Sequence, residues 1–127
     1  TTTGAAKAIT RIFPHLEGKI GGAGIRVPVP DGSLTDITFT VKRVPSVEAL
    51  NNAFKEASES SLKPYLGYTS DPIVSRDVIG SSFSCWYDEE LTTVLGPMVK
   101  VVGWYDNEMG YSHSLRDLML YLKDRFQ

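Results

Sequence analysis

Apolar residues recur every three or four positions in some stretches of the chain and every second position in others. In TTTGAAKAITRIF, Ala5, Ile9, Ile12 and Phe13 form an apolar stripe that stops at Pro14 and Gly18, so the spacing predicts a helix over residues 4–13 with Thr3 as its N-cap. Helical spacing returns in VPSVEALNNAFKEASES, where Val47, Leu50, Phe54 and Ala57 share one face and Ser46 stands at the capping position. A third helix is expected over residues 109–125. There Tyr111, Leu115, Leu118, Leu122 and Phe126 line one side, and Arg116, Asp117, Lys123 and Asp124 the other.

Between these runs the period drops to two. In GAGIRVPVPDGSLTDITFTVK, Ala23, Ile25 and Val27 alternate with Gly24 and Arg26, and Ile37, Phe39 and Val41 alternate with Thr38, Thr40 and Lys42. With Asp31-Gly32 as the turn, the stretch reads as a β-hairpin with Arg26 on its polar side. From residue 66 to 105 short strands follow, with turns at Gly80 and Gly96-Pro97. Phe83, Cys85 and Tyr87 alternate with Ser82, Ser84 and Trp86, and residues 99–104 are rich enough in valine for a central strand. No repeat or linker interrupts the order. It predicts an α+β domain over residues 1–127, a mostly antiparallel mixed sheet with helices packed on one face and a C-terminal helix.

Composition narrows the partners. With 42% hydrophobic and 22% charged residues among 127, the chain is expected to bury a core rather than remain disordered. Thirteen basic residues against 15 acidic ones give a net charge of -2, and no cluster of Lys and Arg offers a polyanion a landing surface, so nucleic acid is not expected. The longest apolar stretch is broken by Lys100 and Gly103, far short of the ~18 residues that would span a bilayer, and a soluble protein is expected. A single cysteine permits no internal disulfide, which suits a reducing compartment. The chain opens directly on helix-forming residues with no signal-peptide pattern, as the middle of a longer polypeptide would.

Candidate chemistry is sparse. Thr3-Gly4 at a helix start is a cap by default; its functional alternative is an anion site, with Arg26 as the planar fork for phosphate oxygens. Cys85 alternates with Phe83 and Tyr87, reads as a packed residue rather than a nucleophile, and is not expected to react fast with iodoacetate. His15 and His113 have no Cys or Ser at a recognisable spacing, and no metal-ligand cluster appears. The joint Asp106-Asn107-Glu108 is, from composition, turn and helix-cap chemistry. That reading leaves open what Asn107 touches.

Four segments in order, TTTGAAKAI, IRVPVPDGSLTDITFTVKR, LGYTSDPIVSRD and VKVVGWYDNEMGYSHSLRDLMLYL, resemble the C-terminal part of the catalytic domain of the NAD-dependent, phosphorylating glyceraldehyde-3-phosphate dehydrogenases. The resemblance covers essentially the whole chain. It implies that the N-terminal Rossmann domain, the nucleophilic cysteine and the catalytic histidine lie upstream of Thr1, so that no catalytic residue is expected in this fragment. It implies further that Thr3, Gly4 and Arg26 contact the attacking phosphate and the substrate. Asn107 would hydrogen-bond the nicotinamide carboxamide of NAD, and Tyr111 would pack beside the ring. In that family glyceraldehyde 3-phosphate, inorganic phosphate and NAD give 1,3-bisphosphoglycerate and NADH in glycolysis, in a cytoplasmic tetramer. The resemblance therefore implies two further partners, the missing N-terminal half and other copies of the chain. The alternative is a non-catalytic interaction module or the fragment of a divergent paralogue, since Met109 stands where the family carries an aromatic residue.

Overall fold

A computed structural model describes residues 4–123 and 125–126. Three α-helices, α1 (Ala5–Ile12), α2 (Val47–Glu59) and α3 (Met109–Lys123), accompany four strands: β1 (Ser33–Thr40), β2 (Leu66–Thr69), β3 (Cys85–Leu95) and β4 (Met98–Tyr105). Short 3-10 turns occupy Pro14–Leu16 and Ser75–Val78. The strands form one sheet in the order β1-β4-β3-β2. β1 and β3 run antiparallel to β4, whereas β2 runs parallel to β3. A parallel neighbour cannot be reached by a tight turn. Residues 70–84, including the second 3-10 turn, make the crossover. The sheet is mixed and the fold is α+β, as the pattern predicts.

The dense valine run falls inside the sheet, as expected. β3 and β4 are joined at Gly96-Pro97, where Gly96 takes a φ of 55°. Val99 and Val101 of β4 and Tyr87 of β3 form the buried centre, with Leu50 and Phe54 of α2 packed against it alongside Leu66, Tyr68 and Val94. Phe54 and Tyr87 stack with ring centroids 4.0 Å apart, an arrangement that adds ~1 kcal/mol to the area they bury. The Tyr87 hydroxyl, which would be costly to bury alone, donates to Asn51 Oδ1 of α2 at 2.7 Å and lies 2.6 Å from Thr92 Oγ1. α2 thus meets the sheet through one apolar face and one polar pin. Its start is capped as predicted, with Ser46 Oγ accepting from the Ala49 N–H at 3.0 Å.

β3 is not regular. Between Asp88 and Thr93 it advances five residues while β4 advances only from Val102 to Lys100, and the excess bulges out. The buried Asp88 carboxylate holds the bulge by accepting from the Glu90 and Leu91 N–H groups, and it also accepts from Trp104 Nε1 at 2.8 Å. Within the bulge, Glu89 accepts a short hydrogen bond from the Tyr68 hydroxyl. Desolvation, and then that carboxylate, push the Tyr68 phenol above its usual range.

The expected hairpin does not form. Residues 21–27 are irregular, and β1 finds its partner in β4 instead, with Ser33 opposite Tyr105 and Thr40 opposite Met98. Pro28 and Pro30 lack an N–H and fix φ, so the residues before the turn cannot complete a ladder. With no first arm there is no apolar side for Ile25 and Val27, which are exposed, or for Arg26 to oppose. The Asp31-Gly32 bend is real but leads into a single strand. Asp31 Oδ1 accepts from the Gly32 N–H at 2.7 Å. Gly32 has a φ of 85°, and a Cβ there would lie 2.5 Å from the Ser75 carbonyl oxygen, so glycine is required twice over.

The two terminal helices also depart from expectation. α1 is capped at Gly4, not Thr3, and ends at Ile12. α3 spans Met109–Lys123; Asp124 lies outside the described residues, and Arg125, where the helix is expected to end, is in a turn. Its apolar stripe, on a helix expected to pack on the sheet, is exposed: Tyr111 by 70%, Leu118 by 51% and Leu115 by 46%. Its first turns touch the rest of the chain. Gly110 is buried against the Phe83 carbonyl, and Ser114 Oγ lies 3.3 Å from Ser84 Oγ.

Candidate functional site

The joint between β4 and α3 collects polar groups because a central strand stops there and a helix begins. Four N–H groups at a helix start need acceptors. Asp106, only 4% exposed, serves two of them, its Oδ1 accepting from the Glu108 and Met109 N–H groups at 2.9 and 2.8 Å, while its Oδ2 accepts from the Gly80 N–H at 2.8 Å. The Met109 and Gly80 bonds hold its carboxyl below the usual carboxylate range despite burial. Asp106 therefore ties α3 to the turn at Gly80, which has a φ of 82°. The cap reading of this joint was right for Asp106.

Asn107, the next residue, is exposed and turned away from the core. Its Oδ1 accepts from Ser33 Oγ at 3.1 Å, and its Nδ2 donates to Glu108 Oε1 at 3.4 Å. An amide carries two lone pairs on oxygen and two N–H donors. One of each is used within the chain, which leaves one acceptor site and one donor for another molecule. A carboxamide such as that of nicotinamide has the matching pair, so the residues present fit that group. Tyr111, one helical turn further on, is exposed beside the same joint and lines an open apolar groove with Leu115, Met119 and Leu120.

The anion residues are placed less fully. Thr3 lies outside the described residues. Gly4 is the exposed N-cap of α1, and its carbonyl accepts from the Ala8 N–H at 2.8 Å. Arg26 is exposed in the irregular segment that leads to β1. Among the described residues no hydrogen bond or ion pair joins Arg26 to Gly4 or to Asn107. Asn107 and Tyr111 thus lie four residues apart at the same joint, and Arg26 lies on a separate segment.

Ser33 is the residue that pattern reading missed. It reaches Asn107 only because the β1/β4 register sets it opposite Tyr105, 74 positions from its partner, and nothing local signals that pairing. Cys85 is half-buried on β3. Its sulfur is so close to Gly103 that a Cβ there would fall 2.3 Å from it, and burial pushes its thiol up. It is a packed residue with little thiolate, in keeping with the sequence reading. Among the described residues no group of three or more His, Cys, Asp or Glu side chains could hold a metal ion, and no helix is long and apolar enough to cross a membrane.

The sequence of this α+β sheet belongs to a known class of domain. Residues 1–107 match the family described as glyceraldehyde 3-phosphate dehydrogenase, C-terminal domain, and the chain belongs to that family. It is 50% identical to glyceraldehyde-3-phosphate dehydrogenase 2 of Streptomyces avermitilis over 123 residues, 96% of this chain and 37% of that protein. It is 47% identical to the glyceraldehyde-3-phosphate dehydrogenase of Geobacillus stearothermophilus over 126 residues, 98% of this chain and 38% of that protein. The Mycobacterium avium enzyme is 50% identical over 119 residues, 94% of this chain and 35% of its own length. The chain therefore spans little more than a third of these relatives.

Proposed function

We propose that the chain is the C-terminal part of an NAD-dependent phosphorylating glyceraldehyde-3-phosphate dehydrogenase, a cytoplasmic oligomer acting in glycolysis. In this reading the reacting cysteine and histidine are supplied by polypeptide outside the chain, and the chain alone is inactive. The nicotinamide, when bound, supplies the hydride acceptor. The work of this chain is to aim and to grip. Asn107 presents one donor and one acceptor to the carboxamide, and the exposed ring of Tyr111 offers an apolar wall next to it. Thr3, Gly4 and Arg26 hold phosphate and substrate, with backbone donors at a helix start and a fixed guanidinium fork.

The observation that carries the proposal is the half-used amide of Asn107, exposed at a joint that a buried carboxylate holds still. The test is kinetic. In the complete polypeptide, Asn107→Ala is expected to raise the KM for NAD about tenfold and leave the KM for phosphate near its original value. Arg26→Ala is expected to do the reverse. Equal effects of both changes on both constants would contradict the division of labour. A second reading, a non-catalytic interaction module, draws on the bare apolar face of α3. It predicts that the chain retains a protein partner and that adding the absent portion restores no oxidation of the triose.

A further inference from the structure

We propose that Ser33 and Glu108 are positioning residues that decide which way round the Asn107 amide is presented, so that its free donor and acceptor meet a carboxamide in one order only. This rests on the reading above in which Asn107 meets that carboxamide. The oxygen and the NH2 of an amide are nearly the same size, so shape alone does not choose between the two orientations. The neighbours must differ in polarity for one to be preferred.

Here they do differ. A carboxylate offers lone pairs and no proton, and Glu108 Oε1 lies 3.4 Å from Asn107 Nδ2. Turning the amide over would set its oxygen against that acceptor with no hydrogen between them. Ser33 Oγ, 3.1 Å from Oδ1, donates on the other side. A hydroxyl can rotate to suit either orientation, so the division of roles follows: Glu108 selects the orientation and Ser33 holds the amide in place. The backbone of each neighbour is held in place. Ser33 is locked opposite Tyr105 in the β1/β4 ladder. The Glu108 main chain, from which the carboxylate projects, is fixed by its N–H on Asp106 and by its carbonyl, which accepts from the Ser112 N–H and hydroxyl at 3.0 and 2.7 Å. The consequence for a bound ring is directional. A carboxamide presented the wrong way round would meet donor with donor and acceptor with acceptor, which disfavours the flipped ring.

The experiment has two readouts. In the 15N-labelled chain, Ser33→Ala should lower the order parameter of the Asn107 side-chain amide and leave the Gly80 and Met109 backbone amides unchanged, and Ser33→Thr, which keeps the hydroxyl, should restore it. Glu108→Gln should split or broaden the same side-chain signals as both orientations become populated. In the complete polypeptide, Ser33→Ala should raise the KM for NAD about fivefold, the size of one ordinary hydrogen bond, with the KM for phosphate unmoved. An Asn107 amide as ordered in Ser33→Ala as before would overturn the proposal. So would a loosened amide with an unaltered KM for NAD in a protein where Asn107→Ala does raise it. If Asn107→Ala itself has no effect on NAD, the underlying cofactor reading fails and the positioning role falls with it.

Discussion

α2 and α3 are both amphipathic, both begin at an acidic or hydroxyl cap, and end up in opposite situations. α2 lays Leu50 and Phe54 on the sheet and pins Asn51 to Tyr87. α3 is anchored at its first turns and carries Leu118, Met119 and Tyr121 in the open. Sequence periodicity is the same kind of signal in both. It states that a helix has an apolar face, not that the partner for that face is in the same chain. An exposed stripe on a well-formed helix is surface that something else is suited to cover.

The contrast can be broken by substitution. Phe54→Ala is expected to cost ~3 kcal/mol in urea or thermal unfolding, because the stacked ring on Tyr87 is lost and a hole is left beneath α2. A cost below ~1 kcal/mol would mean that α2 is not docked as described. Next in size, Asp106→Ala should cost ~1–2 kcal/mol, since three backbone N–H groups lose the carboxylate that they share as acceptor.

That increment has a pH signature. The folded carboxyl lies below its usual range, so its contribution is fully present above the unfolded value near 4 and is lost as pH falls through the folded value. The stability difference between the original chain and Asp106→Asn should therefore shrink below about pH 4. Ser46→Ala, which removes the single cap bond of α2, should cost ~1 kcal/mol with no pH dependence over the same range. Smallest of all, Met119→Ala on the open face of α3 should change stability by less than ~0.5 kcal/mol. A large loss there would show that α3 folds back on the sheet in solution.

What was legible in the sequence follows the same division between local and distant causes. The Ser46 cap, the positive-φ turns at Gly80 and Gly96, the valine-rich inner strand and the span of α2 are set by neighbours a few residues away, and they were readable. The partner of β1 was not. Residues 23–27 satisfy the alternation of a strand as well as residues 37–41 do, and only the lack of N–H groups at Pro28 and Pro30 argues against it. Composition marks Asn107 only as part of a polar joint, and its ligand is implied by family resemblance alone. Ser33, set beside it by strand pairing, carries no local mark.

The indoles of the molecule fall on one side of this division. Trp86 and Trp104 face each other across β3 and β4, with their N–H groups on Ser81 Oγ and the buried Asp88 carboxylate. α3 has none. Tryptophan emission, excited selectively over tyrosine, is consequently a built-in gauge of sheet closure that is silent about the last helix, so a tryptophan-fluorescence melt and a circular-dichroism melt of this chain should part company wherever α3 frays first.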